Sequence, residues 1–306
     1  MAKNINTFVT TVAFVGQPNV GKSTLLNAMV GTKIAPTTRK PQTTRRIIRG
    51  IKTVGQYQQI YFDTPGVLRK KTGLDHFMYG EINRALADVQ QVVLIVDAKA
   101  PIKKYYSFLN QIKSTVQLNK QVLILVINKI DELKDKSQLL ELLAAYAKEV
   151  PHAEIIPISA IKGDGLKELF EALNKNAQVS PFYFDRDYFT DATEKEIVAE
   201  LIREKAMLEL KEELPYKLAV TIEQFDESRR QDKDKPLIAI EAVLHVEQKS
   251  QKAIVIGKQG ASIKTIGIRA RKDIEHLLHC QVMLKLFVRV EPHWTTSPKS
   301  LRKLGY

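Results

Sequence analysis

Eight residues near the start of the chain, Gly16-Gln17-Pro18-Asn19-Val20-Gly21-Lys22-Ser23, have the types and spacing of a loop that wraps phosphate. Glycines let backbone N–H groups close around phosphate oxygens, and a helix opening at the end of the loop adds the positive end of its dipole. In that pattern Lys22 neutralises β- and γ-phosphate charge, and the hydroxyl of Ser23, which Thr24 follows, ligates Mg²⁺. Asp63-Thr64-Pro65-Gly66 suits a magnesium-side carboxylate and a sensor of the terminal phosphate. Asn128-Lys129-Ile130-Asp131 places a carboxylate that can accept hydrogen bonds from guanine N1–H and its exocyclic amine. Adenine lacks that donor pair, and a site built on buried polar groups rejects the base that leaves them unpaired. Ser159-Ala160-Ile161-Lys162 would add backbone contacts to the guanine oxygen. Taken alone, Asp63–Gly66 also reads as a plain strand-ending turn, and Asn128–Asp131 as a common tetrapeptide.

A different chemistry lies near the other end. Gly257-Lys258-Gln259-Gly260 is a G-x-x-G turn of the kind that clamps a nucleic-acid backbone, with bases in an adjacent groove. Lys258, Lys264, Arg269, Arg271 and Lys272 supply charge, and residues 249–289 hold 9 basic against 2 acidic residues. The chain as a whole carries +13, which favours nucleic acid or anionic membrane surfaces as partners. The basic run from Lys33 to Lys52 reads as a solvated loop, or as a loop that also touches RNA.

The elements that must position these groups can be read from hydrophobic patterning. Thr10–Gly16, Gln58–Asp63, Gln91–Asp97, Gln121–Asn128 and Ala153–Ser159 are apolar runs with little polar alternation, as in strands covered on both faces. Helical stretches between them, such as Leu74–Val89, Lys104–Leu118 and Lys136–Glu149, predict a mostly parallel α/β sheet wrapped by helices. Ligands on such sheets sit at the carboxyl ends of the strands, where the first four clusters lie. The second half changes grammar. It predicts a helix over Thr193–Glu213, strands over Lys217–Phe225 and Leu237–Val246, and an exposed charged turn over Asp226–Pro236. A helix over Ala261–His279 and a strand over Gln281–Val290 follow, which makes a smaller α+β domain. The expected division is 1–178, a connecting segment 179–193 that packs on both domains, and 194–306. With 306 residues, two domains are the natural count. No apolar run approaches the ~20 residues that cross a bilayer. The start of the chain lacks signal-peptide features. A lone cysteine, Cys280, reads as a small core residue of a chain at home in a reducing cytoplasm.

The order of phosphate loop, DTPG, NKID and SAIK, each at a strand end, resembles the translation-factor-like P-loop GTPases. That resemblance implies a switch threonine that ligates Mg²⁺ in the GTP state, and Pro41-Gln42-Thr43-Thr44-Arg45-Arg46 offers Thr43 or, by preference, Thr44. Where many members have a water-orienting glutamine after the D-x-x-G glycine, this chain has Val67, so slow intrinsic hydrolysis is expected. Some members with an apolar residue there hold K⁺ beside the phosphates through a P-loop asparagine. Asn19 occupies that position, as a cation ligand or as a loop-shaping residue.

A GTPase domain followed by one KH domain resembles the Era family over nearly the whole chain. The matching stretches include Pro41–Arg45, Ala199–Lys205, Gln251–Lys258, Leu284–Val290 and Leu301–Tyr306. The resemblance implies GTP, GDP and Mg²⁺ as ligands. It also implies a bacterial-type factor for assembly of the small ribosomal subunit, binding near the 3′ end of its rRNA, with reported peripheral contact at the inner membrane face and a monomeric state. Lys22, Asn19 and Thr44 are then the expected catalytic groups, Ser23, Thr44 and Asp63 the metal ligands, and Gly257, Lys258, Gln259, Gly260, Lys264 and Arg269 the RNA contacts. A membrane-associated regulatory GTPase and an RNA chaperone with a non-hydrolysing nucleotide site remain as other readings.

Overall fold

A computed structural model describes residues 6–38, 40–66, 73–232 and 234–306. Val67 lies outside the described residues. The chain forms two compact units, one of 1–34, 44–68 and 78–191 and the other of 35–43, 69–77 and 192–306.

The first unit is built on a sheet with strand order β2 (Ile48–Val54), β3 (Tyr57–Asp63), β1 (Phe8–Val15), β4 (Gln91–Asp97), β5 (Val122–Asn128) and β6 (Glu154–Pro157). β1, β3, β4, β5 and β6 run parallel, as continuous apolar strands covered on both faces should. Val92 to Val96 and Ile124 to Ile127 are all buried. Helices α1 (Lys22–Val30), α3 (Tyr106–Leu118), α4 (Lys136–Glu149) and α5 (Leu166–Asn174) pack on the sheet, and α2 (Gly73–Ala87) belongs to this unit from Met78 onward. Parallel register sets Phe14 beside Asp63 and Asp97 beside Asn128, so the carboxyl ends of β1, β3, β4 and β5 share one edge.

The solvated loop expected over 33–52 is corrected in part. β2 is an antiparallel edge strand, and Arg45 and Thr44 before it are buried. Gly50 explains the close fit, because a Cβ there would stand 2.6 Å from both Leu26 and Val30 side-chain carbons. The segment after α5 hugs this same unit. Its two-residue strand β7 (Gln178–Val179) pairs with β1, Gln58 binds the backbone of Tyr183 and Phe184, and Thr190 Oγ1 donates to Arg49 O at 2.6 Å.

The second unit holds α6 (Glu194–Glu209), β8 (Ala219–Arg229), β9 (Leu237–Val246), α7 (Lys249–Ile256), α8 (Ala261–Leu278), β10 (Gln281–Val290) and α9 (Pro298–Lys303). β9 is central, antiparallel to β8 and parallel to β10. Alternate residues Ile238, Ile240, Ala242, Leu244 and Val246 meet Leu201, Val255, Ile266 and Ile274 in one core. α6 starts on a capping box between Thr193 and Glu196 and ends at Glu209, four residues short of expectation. The strand expected to stop at Phe225 runs on to Arg229, which shortens the charged turn, and the apolar run before Gly257 is the end of α7. Cys280 is buried, as expected. Trp294 is fully buried too, with Nε1 donating to Lys217 O at 3.0 Å and its ring stacked on Tyr306, so it packs on its own domain.

One buried group makes this unit acid-sensitive. His245 shares a hydrogen bond of 2.8 Å with Thr221 Oγ1, and its Nδ1 has no partner among the described residues. Burial first, and then the Arg289 cation, push its pKa from 6.5 down to about 4. The folded state therefore favours the neutral ring. The stability this gives is complete above the ordinary histidine value and is lost as pH falls toward about 4. Melting followed from neutral pH to acid should fall less steeply in His245→Leu than in the parent; equal slopes would mean that this ring is not the group titrating.

Candidate functional site

The loop of residues 16–23 joins β1 to α1 at the shared carboxyl edge. Gly21 stands at the N-cap of α1 with φ of 101°, and a Cβ there would lie 2.3 Å from Asn128 Nδ2. Only glycine allows both the turn and that approach. Gly16 is equally confined, with a Cβ position 2.6 Å from Ile95 O. Gln17 donates to Lys104 O at 3.1 Å, and Val20 is buried. Lys22 curls back over the loop, its Nζ donating to Gly16 O at 2.9 Å and Gln17 O at 3.1 Å. Its burial lowers its pKa to about 8 against the opposing pull of Asp63. Gly66 closes the other side, where a Cβ would be 2.9 Å from Lys22 Nζ and 3.0 Å from Pro18. Thr64 is a structural tie at this point, its hydroxyl donating to Phe14 O at 2.7 Å.

Three oxygens converge beside Lys22. Ser23 Oγ donates to Asp63 Oδ2 at 2.6 Å and lies 2.8 Å from Thr44 Oγ1, which donates to the same carboxylate oxygen at 3.2 Å. The neighbouring Thr43 hydroxyl turns away, donating to Lys40 O at 2.7 Å. Asp63 Oδ1 is buried with no hydrogen-bond partner among the described residues. Burial raises the Asp63 pKa to about 6, with Lys22 and the two hydroxyls pulling it down. Two hydroxyls and a carboxylate with an unfilled oxygen fit a small hard cation such as Mg²⁺, which takes oxygen ligands. No cluster of three or more His, Cys, Asp or Glu side chains suited to a softer metal exists among the described residues.

The base side is tied to the loop by hydrogen bonds. Asn128 Nδ2 donates to Val20 O at 2.8 Å and its Oδ1 accepts from Ala160 N–H at 3.1 Å. Lys129 has a left-handed backbone, with φ of 68°, and its Nζ reaches Asn19 O at 2.7 Å and Asp97 Oδ2 at 2.5 Å. Ile130 N–H donates to Ile158 O at 3.2 Å. Asp131 Oδ1 accepts from Ser159 Oγ at 2.6 Å, which aims the carboxylate. The partners are tens of residues apart in sequence, so the constellation is assembled by the sheet.

The second unit carries the G-x-x-G turn between α7 and α8. Gly257 has φ of 76°, and a Cβ there would lie 2.8 Å from Ser262. Gly260 has φ of 77° and open space around it, which leaves its backbone approachable. Lys258 and Gln259 are exposed on the turn. Beside it, Lys264, Gly267, Ile268 and Arg271 from α8 face Leu284 and Leu286 of β10 across an open groove of about 300 Å³. Arg269 is not in that groove; it pairs with Glu209 at 3.1 Å. Arg271 lines that groove. The groove wall of Gly267, Leu284 and Leu286 was not singled out in the sequence, although the spacing from Lys264 through Gly267 to Arg271 is that of one helix face.

Comparison with known proteins matches a family to each part of the chain. The family described as 50S ribosome-binding GTPase matches residues 11–129, and the KH domain family matches 213–295. GTPase Era of Geotalea uraniireducens is 42% identical over 96% of both chains. GTPase Era of Ectopseudomonas mendocina is 43% identical over 96% of both. Among solved structures, Aquifex aeolicus Era bound to GDP·AlF4⁻ superposes with a TM-score of 0.89 at 34% identity, covering 98% of this chain and 99% of that one. Era in complex with MgGDPNP and nucleotides 1506–1542 of 16S ribosomal RNA gives a TM-score of 0.88 at 34% identity and the same coverage.

Proposed function

The chain belongs to the GTPase Era family, and from that premise we propose that it binds and hydrolyses GTP and binds the 3′ end of small-subunit rRNA during assembly of the small ribosomal subunit. The observation that carries this is the hydrogen-bonded meeting of Ser23, Thr44 and Asp63 beside Lys22, at the edge where Asn128 and Asp131 also stand. Lys22 holds the β- and γ-phosphates, Ser23, Thr44 and Asp63 hold Mg²⁺, and Asp131 reads guanine. When bound, Mg²⁺ supplies positive charge to the phosphate oxygens. The turn at Gly257–Gly260 and the groove lined by Lys264 and Arg271 take the RNA backbone and bases. The chain acts as a cytoplasmic monomer; peripheral contact with a membrane is a further element, checked by flotation with anionic vesicles. No described helix is long and apolar enough to cross a membrane.

Hydrolysis without a glutamine at Val67 needs other stabilisation of developing charge. Asn19 is exposed on the phosphate loop with φ of 68°, and its backbone is fixed by Lys129. We assign its side-chain oxygen to a K⁺ ion beside the phosphates. Hydrolysis in KCl should exceed that in NaCl at equal ionic strength by about tenfold, which needs only ~1.4 kcal/mol of transition-state stabilisation. Asn19→Ala should remove the difference. Mg²⁺-dependent release of phosphate from GTP, measured in both salts with and without rRNA, tests the whole proposal: no turnover in any condition defeats the enzymatic reading, and equal rates in both salts defeat only the K⁺ assignment.

A further inference from the structure

Asp97 closes β4 and belongs to none of the motifs that meet the nucleotide, yet parallel register sets it beside Asn128 within the first unit. Its carboxylate is divided between two partners. Oδ1 accepts the backbone N–H of Lys99 at 2.9 Å, in the turn after the strand, and Oδ2 accepts from Lys129 Nζ at 2.5 Å. The same ammonium donates to Asn19 O in the phosphate loop at 2.7 Å. A parallel contact stands next to it, with Asn128 Nδ2 donating to Val20 O at 2.8 Å. Two successive residues of the base loop thus hold two successive carbonyls of the phosphate loop. Asn19 and Lys129 both have φ of 68°, a left-handed conformation that non-glycine residues keep where surrounding contacts fix it. The Lys129–Asn19 bond joins these two residues, and the Asp97 carboxylate fixes the ammonium that makes it.

We propose that Asp97 is a positioning residue for nucleotide binding: by holding Lys129 Nζ against Asn19 O it keeps the loop that meets the base and the loop that meets the β-phosphate in fixed relation. The proposal rests on the reading of these two loops as a GTP site. The ion pair is largely shielded from solvent, with side-chain exposures of 25% for Lys129 and 21% for Asp97, so water screens it less than a surface pair. A lysine left to wander would have to be ordered again when nucleotide binds, and that cost falls on affinity. GTP and GDP share the base and the β-phosphate, so both should be affected alike.

The test uses the full chain with Asp97→Asn. The amide oxygen can still accept from Lys99 N–H, while the NH₂ group faces Lys129 Nζ with a donor in place of an acceptor. Affinity for Mg·GDP and for Mg·GDPNP should fall together by about three- to tenfold, with the melting temperature near the parent's. Lys129→Met should weaken both nucleotides as well, and adding Asp97→Asn to it should cost nothing more, because two residues that act through one contact are not additive. Amide hydrogen exchange at residues 17–22, measured without nucleotide, should quicken in either variant and no further in the pair. No loss in Asp97→Asn, or the same loss when Lys129 is already Met, overturns the positioning role. Exchange that stays unchanged, or that quickens throughout the first unit, overturns it too. Should Lys129→Met bind too weakly to measure, the exchange comparison decides. A parent chain that binds neither nucleotide would defeat the GTPase reading, and exchange would still judge the hold of Asp97 on the phosphate loop.

Discussion

Asp131→Asn is expected to cost about a thousandfold or more in GTP affinity and to make xanthosine triphosphate the better ligand. The carboxylate is held by Ser159 Oγ at 2.6 Å, so it would meet the base in a fixed orientation. Guanine presents two donors to it. Xanthine presents an acceptor where guanine's amine donates, and the amide of asparagine offers the donor that xanthine needs. A hydrogen-bonding site loses far more when its partners are mismatched than a hydrophobic pocket loses for a methylene, because buried polar groups are left unpaired. Competition between the two triphosphates for the variant decides it. Equal loss of both would make Asp131 a structural residue of the Ser159 turn.

The second large effect belongs to the other unit. Lys258→Asp combined with Gln259→Asp should lower affinity for a single-stranded oligonucleotide of the rRNA 3′ end by about a hundredfold, since two new negative charges would face the phosphates that the turn must contact. GTP binding should be unchanged. Both residues are exposed on a turn whose shape depends on Gly257 and Gly260, so the substitutions leave the core intact. Filter binding with the oligonucleotide gives the result directly, and undiminished affinity would place the RNA elsewhere.

What the sequence revealed and what it hid follow from how local the cause is. β4 and β5 were legible because their residues are apolar without interruption, and a strand buried on both faces leaves no other pattern. β2 was hidden because Arg49 and Lys52 gave it the look of a basic loop, and its burial depends on Gly50 meeting Leu26 and Val30 of α1. The four phosphate and base clusters could be named since each is a short motif at a strand end. The different settings of Thr43 and Thr44 could not be read from their adjacency: one hydroxyl donates to Asp63 and the other to Lys40 O. Helix phase was hidden in the same way: Arg269 of α8 pairs with Glu209 of α6 while Arg271 lines the groove. The guanidinium of Arg203 in α6 meets the carbonyl of Thr43, and no periodicity or motif spans such a separation.

The central claim, one chain joining a GTP site to recognition of the small-subunit rRNA, is tested most directly by crosslinking the protein to RNA in cells and sequencing what it holds. Reads should concentrate at the 3′ end of the small-subunit rRNA and should fall away in Lys258→Asp, Gln259→Asp. Reads spread evenly over cellular RNA, or unchanged by the substitutions, would contradict it.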